Sequence, residues 1–286
     1  MLGNLFDRLA GRMGRGAAPS AWLERHMPQP PLDLVEDIAF GPLPRQRLDL
    51  YLPHDPAARR RLVVFAYGGG WDAGARRSYR FIGQRLAASG FSVAIPDYRL
   101  YPEARFPDFV EDTAAAVAWL AAHAGQHGID GRRMALLGHS AGAYNAAMVA
   151  LDPRYLETKG TSPAVIAGMV GLAGPYAFNP LIYEETRAIF ATTGDDPARA
   201  QPVRWVHAKA PPMLLAHGGA DRRVLPLNSL RLAEALAEVG GEASLRLYPR
   251  QGHVGILLAL ADPFRRLFRV LDDTTAFLAQ ALARPA

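Results

Sequence analysis

The stretch Gly138-His139-Ser140-Ala141-Gly142 sets a hydroxyl nucleophile among small residues, where an apolar run at 134–137 gives way to a helical pattern over 140–150. A serine hydroxyl attacks only when it is exposed, oriented and next to a base, and a sharp strand-to-helix turn supplies exposure and orientation. Flanking glycines relieve Cβ clashes in such a turn. The amide of Ala141, at a helix N-terminus, would favour developing negative charge. A second cluster, Tyr67-Gly68-Gly69-Gly70-Trp71, closes the apolar run 62–67. Its backbone N–H groups can approach an oxyanion that side chains would otherwise block. It matches neither the dinucleotide-binding G-x-G-x-x-G nor a phosphate loop with its lysine, because Trp71, Asp72 and Ala75 break both patterns.

The partners a serine needs stand later in the chain. Asp221 follows the apolar run 213–216 through Gly218-Gly219-Ala220, and His253 follows the run 244–248 in Gln251-Gly252-His253. Both lie beyond the C-terminal ends of expected strands, where open α/β sheets place their sites. His253 would take the Ser140 proton, and Asp221 would hold its tautomer and stabilise the imidazolium. Other candidates fit less well. His217 stands only four residues before Asp221 and is expected to be structural. His139 is the variable residue of the elbow, expected to point away from the serine's site. Asp97 is expected to pair with nearby Arg99, and Asp195 and Asp196 belong to a different segment. His123 and His127 have metal-ligand spacing on a helix but lack the H-E-x-x-H glutamate, so no metal site is expected.

The elements that must position these residues alternate. Runs at 35–40 and 47–52 read as half-buried strands around a Gly41-Pro42 turn; 62–67 and 91–95 read as strands buried on both faces. Further strands are expected at 134–137, 165–172, 213–216 and 244–248, with helices at 79–89, 108–123, 140–150, 226–239 and 263–282. Such alternation describes an α/β fold, a mostly parallel sheet covered by helices on both faces. Residues 174–212 interrupt the rhythm and carry Tyr176, Phe178, Tyr183, Phe190 and Trp205. That length exceeds an ordinary connection and reads as a small cap over the strand ends. Residues 1–31 stand apart from the domain at 32–286. Leu2, Leu5, Phe6, Leu9 and Met13 form one helix face among Arg8, Arg12 and Arg15, and a Gly/Pro-rich stretch follows. That face could pack on its own domain or make a peripheral membrane contact.

Composition removes several classes. The 286 residues include no cysteine, which excludes disulfides, thiolate nucleophiles and Cys-based metal sites. The formal charge is +5, but all basic residues except Lys159 and Lys209 are arginines scattered among acidic neighbours, so no nucleic-acid stripe forms. No apolar stretch is long enough to span a membrane, and no apolar core follows the basic N-terminal residues as in a signal peptide; a cytoplasmic location is expected.

Together with Asp97-Tyr98-Arg99-Leu100-Tyr101-Pro102-Glu103-Ala104-Arg105-Phe106-Pro107, the glycine loop, the elbow and the order Ser140, Asp221, His253 resemble the α/β-hydrolase superfamily. Within it the chain is similar to the hormone-sensitive-lipase-like carboxylesterases and the kynurenine-formamidase-like esterases, from about Val35 onward. The resemblance implies the α/β-hydrolase fold, an eight-stranded sheet with its first strands antiparallel, and an oxyanion hole from Gly69, Gly70 and Ala141. Two departures stand out: Tyr67 replaces the histidine that opens the glycine motif, and the N-terminal cap is short. The expected activity is hydrolysis of small carboxylic esters through an acyl-enzyme, without metal or organic cofactor. An arylformamidase acting on N-formylkynurenine would use the same machinery. A catalytically silent hydrolase fold that only binds a ligand is the reading from another class, and against it no triad member is missing. Trp71, Tyr98, Tyr101, Tyr176, Phe178 and Trp205 are expected around an apolar acyl or aryl pocket. Tyr67 joins them there or anchors the glycine loop through its phenolic O–H.

Overall fold

Five successive buried apolar residues, Leu62–Ala66, make a strand (β3) with no solvent face, so the sheet around it must be covered on both sides. The structure, a computed structural model, describes residues 31–261 and 269–284. The other strands are β1 (Leu32–Ala39), β2 (Arg47–Pro53), β4 (Ser92–Pro96), β5 (Met134–His139), β6 (Ile166–Leu172), β7 (Met213–Gly218) and β8 (Ala243–Tyr248). They form one eight-stranded sheet in the order β1-β2-β4-β3-β5-β6-β7-β8. β2 runs antiparallel to both β1 and β4, and every other pairing is parallel. The resemblance implied this arrangement.

Five longer helices cover the sheet: α1 (Arg80–Ala88), α2 (Asp108–His123), α3 (Ala141–Leu151), α4 (Leu227–Glu238) and α5 (Val270–Ala283). The first part of the helix expected at 263–282 falls on residues 262–268, outside the described residues, as does the whole amphipathic pattern of residues 1–30. α3 packs on β3, β5 and β6, α5 on β5, β6 and β7, α1 on β2 and β4, and α4 on β7 and β8. Within β6, a side chain at Gly168 would strike Ala281 and Phe277 of α5. Gly171, three residues on and so on the opposite face, meets Tyr176 instead. α3 is buried along its whole length, which explains why Ala, Gly, Met and Val fill it and why it lacks an amphipathic stripe. β8, at the sheet edge, has no fully buried residue and mixes half-buried with exposed ones.

The interrupted segment 174–212 contains a short helix, Glu184–Arg187, and 3-10 turns at Ala191–Thr193, Pro197–Ala200 and Pro202–Trp205. It is tied down at several points. The Ala177 N–H donates to Asn228 Oδ1 at 3.0 Å, the Tyr144 hydroxyl to the Ala200 carbonyl at 2.7 Å, and the Phe106 N–H to the Ile189 carbonyl at 2.9 Å. Phe190 is fully buried and meets Trp71 and Tyr144 edge-on. Among the described residues, no helix is long and apolar enough to cross a membrane.

Candidate active site

Ser140 sits between β5 and α3 with φ 53° and ψ −122°, a conformation costly for a residue with a Cβ. Its neighbours make this turn possible. A Cβ on Gly142 would lie 2.0 Å from the Ala66 carbonyl oxygen, so only glycine lets α3 begin against the end of β3. The Ser140 N–H donates to the Leu172 carbonyl at 2.9 Å, which ties the elbow to β6.

His253 and Asp221 arrive from loops after β8 and β7. The Ser140 hydroxyl lies 2.8 Å from His253 Nε2, and His253 Nδ1 lies 2.7 Å from Asp221 Oδ2. With Nδ1–H donating to the carboxylate, Nε2 is left to accept the serine proton. Asp221 is held by its own turn: Oδ1 accepts from the N–H groups of Arg223 and Val224 at 2.9 and 3.0 Å. All three side chains are buried or nearly so, Ser140 being 9% exposed. Burial alone would raise the Asp221 pKa, but hydrogen bonds to His217 and His253 hold it well below the ordinary carboxylate value.

His217 is fully buried, its Nε2 2.9 Å from the Val224 carbonyl and 3.3 Å from Asp221 Oδ2. A carbonyl only accepts, so Nε2 carries the proton and Nδ1 accepts from the Ser229 hydroxyl at 2.7 Å. This histidine approaches the same Asp221 oxygen as His253 and is itself held by Ser229 and Val224, in keeping with the structural part expected for it.

The glycine loop runs beside the serine: a Cβ on Gly68 would stand 3.1 Å from that of Ser140. Gly69 and Gly70 have φ of 142° and 65°. Among the described residues, no hydrogen bond engages the N–H of Gly69, Gly70 or Ala141.

Behind the loop lies a polar cluster that the sequence did not reveal. Tyr67 donates its hydroxyl proton to Asp97 Oδ1 at 2.7 Å and accepts from Arg45 Nη2 at 2.9 Å. Arg45 also reaches the carbonyls of Gly74 and Tyr98, both at 2.8 Å. Tyr98 and Tyr79 donate to the carbonyls of Tyr67 and Gly68. Arg76 joins Asp97, Asp49 and Asp37 at 2.5, 2.8 and 2.6 Å. Three expectations are corrected here. Asp97 pairs with Arg76, not Arg99, which instead holds Asp112 at 2.8 Å. Tyr67 and Tyr98 stack on each other beneath the loop, fully buried, so they form its footing rather than a pocket wall. Tyr176 is likewise fully buried against Gly171 and Gly174 and lines no pocket. Trp71 is buried too, its Nε1–H donating to Asn145 Oδ1 at 3.0 Å within a cluster of Phe109, Tyr144, Phe178 and Phe190. Only Tyr101, Phe178 and Trp205 of the expected pocket residues are half-buried. Trp205 carries the Arg154 guanidinium over its ring at 4.2 Å.

His139 is corrected as well. Its ring turns toward His253, 5.0 Å away between centroids, rather than away from the site. His123 turns Nδ1 to the Trp119 carbonyl at 2.8 Å.

A mostly parallel sheet with a serine at an inner-strand elbow, reached by a histidine from beyond the edge strand, is the architecture of the α/β-hydrolases, and this chain has it. More narrowly, the chain belongs to the BD-FAE family, whose model matches residues 48–236. It is 30% identical over 251 residues to the probable isoprenylcysteine alpha-carbonyl methylesterase ICME of Oryza sativa subsp. japonica, covering 81% of this chain and 60% of that protein. It is also 30% identical over 213 residues to esterase LipC of Mycobacterium tuberculosis, covering 68% of this chain and 52% of the relative. The chain thus spans between half and two thirds of the length of these relatives. Among solved structures, the apo form of Thermogutta terrifontis esterase 2 superposes with a TM-score of 0.71 at 25% identity, covering 91% of this chain and 98% of that one.

Proposed function

We propose that the chain is a carboxylic ester hydrolase whose nucleophile is Ser140, base His253 and acid Asp221. The observation that carries this is the continuous hydrogen-bonded chain from Asp221 through His253 to the Ser140 hydroxyl, at 2.7 and 2.8 Å. As Ser140 Oγ attacks the ester carbonyl carbon, its proton passes to His253 Nε2. Asp221, held ionised, stabilises the imidazolium that forms. The unengaged N–H groups of Gly69, Gly70 and Ala141 would receive the oxyanion. His253 then gives its proton to the leaving alcohol, and water, deprotonated by the same histidine, releases the acid.

Small esters fit best. The rice relative is named an isoprenylcysteine alpha-carbonyl methylesterase, a name that supports a small leaving alcohol and leaves the acyl side open; for that side the chain offers the half-buried Tyr101, Phe178 and Trp205. Each buried methylene adds only about 0.8 kcal/mol, so preference should be graded, peaking among soluble esters with acyl chains of about two to six carbons. A panel of p-nitrophenyl esters, N-formylkynurenine and emulsified long-chain triglyceride tests this, with fluorophosphonate labelling located by mass spectrometry. Label on Ser140 and fastest turnover of short esters are expected. Faster turnover of emulsions or of the formamide would replace the substrate class, and a Ser140→Ala protein that still hydrolyses esters would remove the reading.

A further inference from the structure

His139, the residue before the nucleophile, touches both the loop that carries His253 and the glycine loop. Its Nε2 lies 2.9 Å from the backbone carbonyl oxygen of His253; that oxygen can only accept, so Nε2 carries the proton. The opposite edge of the ring backs the glycine loop, where a Cβ on Gly68 would come within 2.9 Å of Nδ1. Nδ1 is buried with no hydrogen-bond partner among the described residues. The ring itself is carried by the last residue of β5, an inner strand.

The loop that carries His253 needs such a hold. It leaves β8, the half-exposed edge strand. On one side it is clamped to the end of β7, with the Ala220 N–H donating to the Gln251 carbonyl at 2.9 Å. Toward the serine, the His139 bond fixes the backbone of His253 itself. We infer that His139 is a positioning residue that, by gripping the His253 carbonyl and backing Gly68, sets the reach of the base and of the oxyanion donors to Ser140. The inference rests on the roles proposed above for Ser140 and His253. A neutral ring suits this position. Burial first, then the neighbouring His253, pushes the His139 pKa down to about 3, so no second cation stands beside the imidazolium that forms on His253.

The test is a near-isosteric pair. Glutamine keeps an N–H donor near the reach of Nε2, and methionine fills a similar volume without one. In the full chain, His139→Met is expected to lower kcat about 10–100-fold, the scale that slight misplacement of reacting groups costs, with KM changed less than about threefold. The rate of Ser140 labelling by a fluorophosphonate should fall in parallel. His139→Gln should restore both to within about threefold of the parent, a rescue that follows if the donor positions the base. Equal kcat for the two variants, or a drop in melting temperature with kcat intact, overturns the inference. Should the methionine protein not fold, His139→Asn, too short to reach, takes its place, and Gln falling as far as Asn is the overturning result. A parent protein that fluorophosphonate does not label would fail the proposed function itself, whereas a labelled parent with indistinguishable variants fails only this inference.

Discussion

Replacing Tyr67 by phenylalanine removes one oxygen from beneath the glycine loop and leaves the ring. That ring stacks between Tyr79 and Tyr98, with centroids 5.1 and 4.8 Å away, and those contacts survive. The hydroxyl's two hydrogen bonds do not, and both join it to charged groups, Asp97 and Arg45. A hydrogen bond to a charged group contributes about 1.5–3 kcal/mol, but both charges keep other partners: Arg45 still reaches Gly74 and Tyr98, and Asp97 still holds Arg76. The net loss of stability should therefore be that of about one such bond, about 1.5–3 kcal/mol. The loop itself keeps three side-chain anchors, on the carbonyls of Tyr67, Gly68 and Gly74. It should shift rather than collapse. Removing an oxyanion donor outright costs about 2.7–4 kcal/mol, and displacing one costs part of that, so kcat should fall about tenfold, or about 1.4 kcal/mol. KM should move less, because the loss falls on the transition state. The assay is steady-state hydrolysis of a soluble ester beside denaturant unfolding of parent and Tyr67→Phe. A destabilised Tyr67→Phe protein with undiminished kcat would show that the cluster holds the fold without aiming the loop.

Two further outcomes follow from other buried titratable groups. Asp221→Asn should lower kcat on the order of 10⁴-fold, as in the serine-protease case; Asp97→Asn, which opens a buried ion cluster, should chiefly lower stability, by about 3–5 kcal/mol. An Asp97→Asn protein that is folded and as inactive as Asp221→Asn would show that the acid has been misassigned. Acid stability provides the other: His139 stays neutral when folded but binds a proton when unfolded below about pH 6.5, its folded pKa being about 3. Its contribution is therefore complete above pH 6.5 and is lost as pH falls toward 3, at up to about 1.4 kcal/mol per pH unit. His139→Gln should flatten the fall in unfolding free energy between about pH 6 and 4.5 by that one proton, and an unchanged slope in denaturant titrations would refute it.

Neighbouring residues encode the local features of this chain. The elbow at 138–142, the glycine loop at 67–71 and the strand and helix runs need only local rules. A short apolar run makes a buried strand, glycines permit close backbone approach, and a small-residue turn opens a helix. The positions of Asp221 and His253 just beyond strands follow from the same local reading plus the rule for where open sheets carry their sites. Tertiary structure decided everything that depends on which distant groups meet. Asp97 found Arg76 instead of the nearer Arg99, because β4 ends beside the turn that carries Arg76 while Arg99 reaches Asp112 on α2. Tyr67 and Tyr98 became the footing of the glycine loop and Tyr176 a core residue rather than pocket wall, since the tendency of an aromatic ring to leave water does not say which neighbours will cover it. His139 turned toward His253 for the same reason: residues 114 positions apart are brought together only when β5 and β8 take their places in one sheet. Side-chain pairing across such separations depends on strand order and crossover geometry, and periodicity along a single segment carries no information about either.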